Sequence, residues 1–151
     1  MKVAEVAVRP PVTIQPEETI ADAARLMASA GVGALVVTEK DRPVGIVTDR
    51  DLVVRAIAKN VPFDGRVDSV MSMNVIAVEG SSDIRDAIRA FSHHAVRRLP
   101  VIGAGRVEGM LTFDDVVVAL SQEFTEVTRG VTAQLLFPHG NDEPPLPALT
   151  S

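Results

Sequence analysis

A single offset constrains this chain more than any other feature. A step of 64 residues carries Thr48 onto Thr112 and Asp51 onto Asp115 without a gap. The same step pairs Ile20 with Ile84, Asp22 with Asp86, Ala23 with Ala87, Arg25 with Arg89, Leu35 with Leu99, Val37 with Val101 and Gly45 with Gly109. Such self-similarity means one structural unit made twice, and a unit this short cannot bury its own apolar faces unaided. The units are read as residues 1–64 and 65–122, with a linker at about 60–66 that contains Pro62 and Gly65. The two must pack on each other.

Apolar periodicity supplies the elements of each unit. Val12–Ile14 reads as a short strand, and Thr19 opens a helix whose Ile20, Ala23, Ala24 and Met27 keep helical spacing up to a stop at Gly31. In the second copy Ser82 is expected to cap, and Ile84, Ala87, Ile88 and Phe91 form the stripe. Ala34–Thr38 and Leu99–Ile102 read as strands, each followed by a polar turn and a third strand, and helices are expected at Asp49–Lys59 and Phe113–Gln122. The result is an α/β (α+β) fold of two β-α-β-β-α units. A further helix is expected over 123–137, weakened by Gly130, and the proline-rich residues 138–151 read as a disordered tail.

The third strands end in GIVTDRD (Gly45–Asp51) and GMLTFDD (Gly109–Asp115). Thr-x-x-Asp at a helix start is a capping box. The same turn presents amide donors and partial positive charge that suit a phosphate, beside a carboxylate that can accept from a sugar diol. Both readings fit these residues, and two copies in one context add weight to the second.

Composition removes several function classes. A net charge of −5 and a pI near 5.1 leave no basic stripe for nucleic acid, and the chain has five Phe but no Trp or Tyr for base stacking. Without cysteine there is no disulfide framework, thiolate metal site or cysteine nucleophile. No run of eighteen apolar residues or secretory leader is visible, so a cytoplasmic protein without a membrane partner is expected. His93 and His94 are helix neighbours pointing about 100° apart, with no third ligand at metal spacing. No metal is expected, and no nucleophile or paired-acid setting suggests an enzyme.

The Gly-x-x-Thr-x-x-Asp pair, with VRRLPV at Val96–Val101 and VDSVMSMNVIAV at Val67–Val78, resembles the CBS domain pair, or Bateman module. The resemblance covers residues 1 to about 122 and implies a stand-alone regulatory module. It implies two units packed pseudo-symmetrically into a disc, and a homodimer that pairs helices from each copy and has an unidentified protein target. It further implies two clefts that bind adenosine-type ligands: AMP, ADP or ATP, with S-adenosylmethionine or NAD(H) as alternatives, and no obligatory cofactor. By this resemblance the cleft of Thr48, Arg50 and Asp51 is completed by Val75 and Ile76 at the base and by Arg97 and Arg98 near phosphate. The cleft of Thr112 and Asp115 is completed by Val12, Thr13, Val32, Gly33 and Ala34. Because Gly33 and Ala34 stand where the other copy has Arg97 and Arg98, the Thr48–Asp51 cleft is expected to be the stronger phosphate site. The alternative function is a structural interaction protein with vestigial clefts.

Overall fold

The computed structural model describes residues 1–136; the expectations for Phe137 and for the tail at 138–151 lie outside them. The chain divides into two compact units, Met1–Asp115, which holds both sheets, and a second that begins at Val116.

In the first unit a short helix α1 (Val3–Val6) precedes β1 (Thr13–Ile14), α2 (Ile20–Ala30), β2 (Ala34–Glu39), β3 (Arg42–Thr48) and α3 (Asp49–Asp51). A 3₁₀ turn (Val67–Ser69) then precedes β4 (Val78–Glu79), α4 (Ile84–His94), β5 (Arg98–Gly103) and β6 (Arg106–Thr112), after which α5 (Phe113–Leu136) begins. The expected α/β class with two β-α-β-β-α copies is present. Each copy makes a three-stranded sheet in which the first strand runs parallel to the second and the second antiparallel to the third. The hairpins turn on Lys40–Asp41 and Ala104–Gly105, all four with positive φ, as two-residue turns matched to strand twist require.

Local signals set most boundaries. Thr19 and Asp22 exchange backbone and side-chain hydrogen bonds at the start of α2, and Gly31 ends it in the left-handed region at φ 67°. In α4 the cap is Asp83 and not Ser82: its Oδ1 accepts from Arg85 N at 2.9 Å and from Arg85 Nε at 3.0 Å, and its charge pairs with the guanidinium. The helix after Thr48 also departs from expectation. One α-turn is followed by a π-helix over Leu52–Ile57, in which Leu52 and Ala56 are buried.

The two copies are built into one another. Val8 and Met110 exchange backbone bonds of 2.9 and 3.1 Å, and 64 residues along in the opposite sense Ser72 and Ile46 exchange two of 2.9 Å. The segment leading into each copy thus extends the third strand of the other. Val67 and Val70 accordingly lie in the core formed by Ile14, Ile20, Met27, Leu35, Val37, Val47 and Leu52. A Cβ on Gly109 would sit 2.7 Å from the Val8 carbonyl oxygen, and one on Gly45 would run into Met71 Sδ. The motif glycines are therefore the crossing points.

In the second unit α5 runs on to Leu136 without a break, so the separate helix expected over 123–137 is, as far as it is described, the continuation of the helix expected over Phe113–Gln122. Gly130 lowers helix propensity without ending the helix, and the Ser121 and Thr125 hydroxyls bond the carbonyls four residues earlier.

Two outcomes follow. Gly109→Ala meets backbone and should cost about 1–3 kcal/mol in denaturant melts, whereas Gly45→Ala meets a flexible Met71 and should cost less; equal losses would contradict the crossing geometry. Hydrogen bonds from the Arg85 side chain and backbone hold the Asp83 carboxyl down at about 2. Because this lies below the unfolded value of about 3.9, its stabilisation is present above about pH 4 and is lost as pH falls through about 2. Asp83→Asn keeps a capping oxygen but cannot titrate, so its melting temperature should approach that of the parent between pH 4 and 2; parallel curves would contradict the assignment.

Candidate functional site

Both Thr-x-x-Asp motifs are capping boxes, and this fixes their carboxylates. Thr48 N donates to Asp51 Oδ2 at 2.9 Å while Asp51 N donates to Thr48 Oγ1 at 3.1 Å. Thr112 and Asp115 repeat both bonds at 2.9 and 3.1 Å, and the Thr112 hydroxyl adds a third, to Asp115 Oδ2 at 2.7 Å. The capping reading and the binding reading are compatible, because capping uses one carboxylate oxygen and leaves the other.

That other oxygen distinguishes the copies. Asp51 Oδ1 lies 3.7 Å from Arg55 Nε, one helical turn on. Arg55 Nη1 is itself tied to the carbonyls of Val70 and Met71, each at 3.3 Å, and to Ser72 Oγ at 3.4 Å. The position matching Arg55 in the second copy is Ala119. Among the described residues, Asp115 Oδ1 accepts no hydrogen bond and faces no cation within ion-pair distance.

The first-turn amides are not the open anion site that the sequence suggested. Asp49 N donates to Gly33 O at 2.9 Å and Arg50 N to Asp49 Oδ1 at 2.8 Å, and Asp51 N is used by Thr48. In the second copy Phe113 N donates to Arg97 O at 2.9 Å and Asp115 N to Thr112, which leaves Asp114 N as the first-turn amide without a protein acceptor among the described residues. Most first-turn amides are thus already used, and side chains must supply much of any anion binding.

One cavity, of about 260 Å³, gathers much of the remaining chemistry. Thr112, Asp115 and Arg98 stand against Val12, Val32, Gly33 and Ala34, with Pro11 and Met110 completing the apolar wall. Of the residues expected with Thr112 and Asp115, all but Thr13 line it; Thr13 is exposed on β1, opposite Val36.

The arginines require a correction. Arg98 had been assigned by resemblance to the Thr48–Asp51 cleft, but it lines the cavity of Thr112 and Asp115. Strand register is the reason: Arg98 is the direct partner of Thr112 across β5 and β6, and directly opposed residues project from the same face. Its guanidinium passes over Gly33, where an added Cβ would lie 3.1 Å from Nη2. Arg97 stays with its own copy, 3.2 Å from Asp114 Oδ1 and 5.1 Å from the Phe113 ring centre, so it too is absent from the Thr48–Asp51 side. Arg50 is exposed on α3, and Val75 and Ile76 are half-buried in the run before β4. None of the three lines the cavity.

Two contributions escaped the sequence reading. Val8, Pro10 and Pro11 reach the cavity because the leading segment crosses to β6, a tertiary event without a local signal. Arg55 could have been found from its i, i+4 spacing to Asp51 and its replacement by Ala119. Among the described residues there is no cluster of metal-ligating side chains and no helix long and apolar enough to cross a membrane.

A fold of two such interlocked repeats, each ending in a capped carboxylate, is that of a paired regulatory module. The family model described as "CBS domain" matches residues 3–57 and again 67–122, and the chain belongs to the CBS domain family as a tandem pair. An uncharacterized protein of Methanopyrus kandleri is 35% identical over 120 residues, covering 78% of this chain and 61% of that protein. The chain thus spans less than two thirds of that relative. The CBS domain-containing protein YhcV of Bacillus subtilis is 32% identical, covering 70% of this chain and 76% of that one. Among solved structures, a CBS domain protein from Pyrobaculum aerophilum complexed with AMP superposes with a TM-score of 0.70 at 28% identity, covering 76% of this chain and 89% of that one.

Proposed function

We propose that this CBS domain pair is an adenosine-nucleotide sensor whose ligand occupies the cavity of Thr112 and Asp115. The observation that carries the reading is the meeting, in one mostly apolar cavity, of a carboxylate oxygen without a protein partner and the Arg98 guanidinium. A ribose diol donates to Asp115 Oδ1, and Thr112 holds the carboxylate through its other oxygen. The purine lies against the wall of Val12, Val32 and Pro11, which offers apolar area without competing hydrogen bonds. Arg98 supplies a charge-assisted bond to phosphate, so AMP, ADP or ATP is favoured over an uncharged adenosine. The AMP complex of the Pyrobaculum aerophilum relative supports this class of ligand.

The first motif takes a different part. Asp51 already has a cation beside it: Arg55 Nε stands 3.7 Å from Oδ1 and is anchored through Nη1 to the carbonyls of Val70 and Met71 and to Ser72 Oγ, so a ribose would compete with a fixed charge. The Thr48–Asp51 side is therefore vestigial as a ligand site, which reverses the order expected from the arginines. A binding event in the remaining cavity biases the packing between copies, because its walls come from both. This is how the module passes on its signal.

Titration calorimetry with AMP, ADP, ATP, S-adenosylmethionine and NADH tests the reading. One tight event per chain is expected with a nucleotide; Asp115→Ala should abolish it, and Arg98→Ala should weaken it roughly 10- to 100-fold, the worth of a charged hydrogen bond. Asp51→Ala should leave it within about twofold. Loss of binding in Asp51→Ala with retention in Asp115→Ala would overturn the assignment, and no heat with any of the five would favour a purely structural role.

A further inference from the structure

The helix α5 outlasts the family match, which ends at residue 122, and its continuation carries a pattern that the repeats do not need. Val117, Leu120, Phe124, Val127 and Val131 follow one another at alternating steps of three and four, the a and d spacing of a coiled-coil seam. Each is exposed in the single chain, Phe124 to 69% and Val127 to 67%. The opposite side carries Gln122, Thr125 and a Glu126–Arg129 pair at 3.5 Å, together with the exposed Val118.

Several observations say what covers this seam. Thr125, Val127, Thr128, Gly130, Val131 and Thr132 are poor helix formers, so the segment depends on packing for its stability. Two copies of the seam laid together bury on the order of 1,000 Å², the lower bound for a specific interface. The flanks permit this: in a parallel pair Glu123 at g faces Thr128 at e, with no like charges opposed, and Val117 at a with Leu120 at d is the arrangement that favours two strands. Of the apolar helix residues of the two copies, Met27, Leu52, Phe91 and Val116 are already buried in one chain, whereas Ile57 and Leu120 are exposed, and Leu120 belongs to the seam.

We infer that residues 117–131 of α5 pair in parallel with the same segment of a second copy, as a short two-stranded coiled coil that begins in the last helix of the second CBS repeat and runs past its end. This inference is independent of the ligand reading. The natural chain has no cysteine, so a single introduced thiol reports the pairing cleanly. In the full-length protein under mild oxidation, Val127→Cys places two thiols in one d layer and should form an inter-chain disulfide, while Arg129→Cys on the outer face should remain at least tenfold slower. Adding Phe124→Glu to Val127→Cys should suppress the cross-link at least tenfold, with circular dichroism and an unchanged cooperative thermal melt confirming that the repeats stay folded. Equal cross-linking at 127 and 129, or a Val127→Cys protein that stays monomeric on a non-reducing gel, would overturn the inference.

Discussion

The close approach of backbone to strand at Gly45 and Gly109 is the contact on which the rest of this molecule depends. Because neither glycine has a side chain, Met71 packs onto β3 and the Val8 carbonyl onto β6, and the leading segment of each repeat becomes part of the other. A single repeat would leave its helix stripe and sheet face half covered, and this exchange supplies the missing surface, as Val67 and Val70 do for the first copy. It also carries Val8, Pro10 and Pro11 to Thr112 and Asp115, so the interlock that completes the core builds the cavity wall. Stability and site share one cause.

Repetition of a motif does not make its copies equivalent. The capping geometry is nearly identical in both, with bonds of 2.9 and 3.1 Å in each, and it would mark both aspartates as ligand residues if read alone. The difference lies one turn further, where Arg55 stands in one copy and Ala119 in the other. A cation at that point serves the carboxylate that a sugar would otherwise serve. Arg98 adds to the contrast by crossing Gly33 toward the opposite cavity. The outer carboxylate oxygen of one copy thereby faces a cation of the protein, and that of the other has no protein partner among the described residues.

Much of this was legible in the sequence because the signals are local. The change of apolar period, the Thr-x-x-Asp caps and the stop at Gly31 each depend on neighbours within a few residues, the offset of 64 is read by aligning the chain with itself, and each appears where expected. The cap of α4 moved by one residue because Asp83 can serve two donors of Arg85 at once. The placement of Arg98 failed for a different reason. Resemblance assigned it by copy, whereas strand register assigns it by face, and Arg98 lies directly across from Thr112. The crossing of Val8 onto Met110 spans about a hundred residues of sequence, and no local pattern announces it. A helix was expected through Gly130, and what the sequence did not announce is that it continues the helix of Phe113–Gln122 without a break.

The central claim is that two motifs alike in sequence differ in what their carboxylates can still accept. An amide-resolved NMR titration of the unmodified protein with AMP tests it most directly, because Thr48 and Thr112 report the two motifs separately in one experiment. The account predicts saturable shifts at Gly33, Arg98, Thr112 and Asp115, with Thr48, Asp51 and Arg55 moving little. Shifts concentrated at Thr48, Asp51 and the 70–72 segment, with Thr112 and Asp115 unmoved, would contradict it.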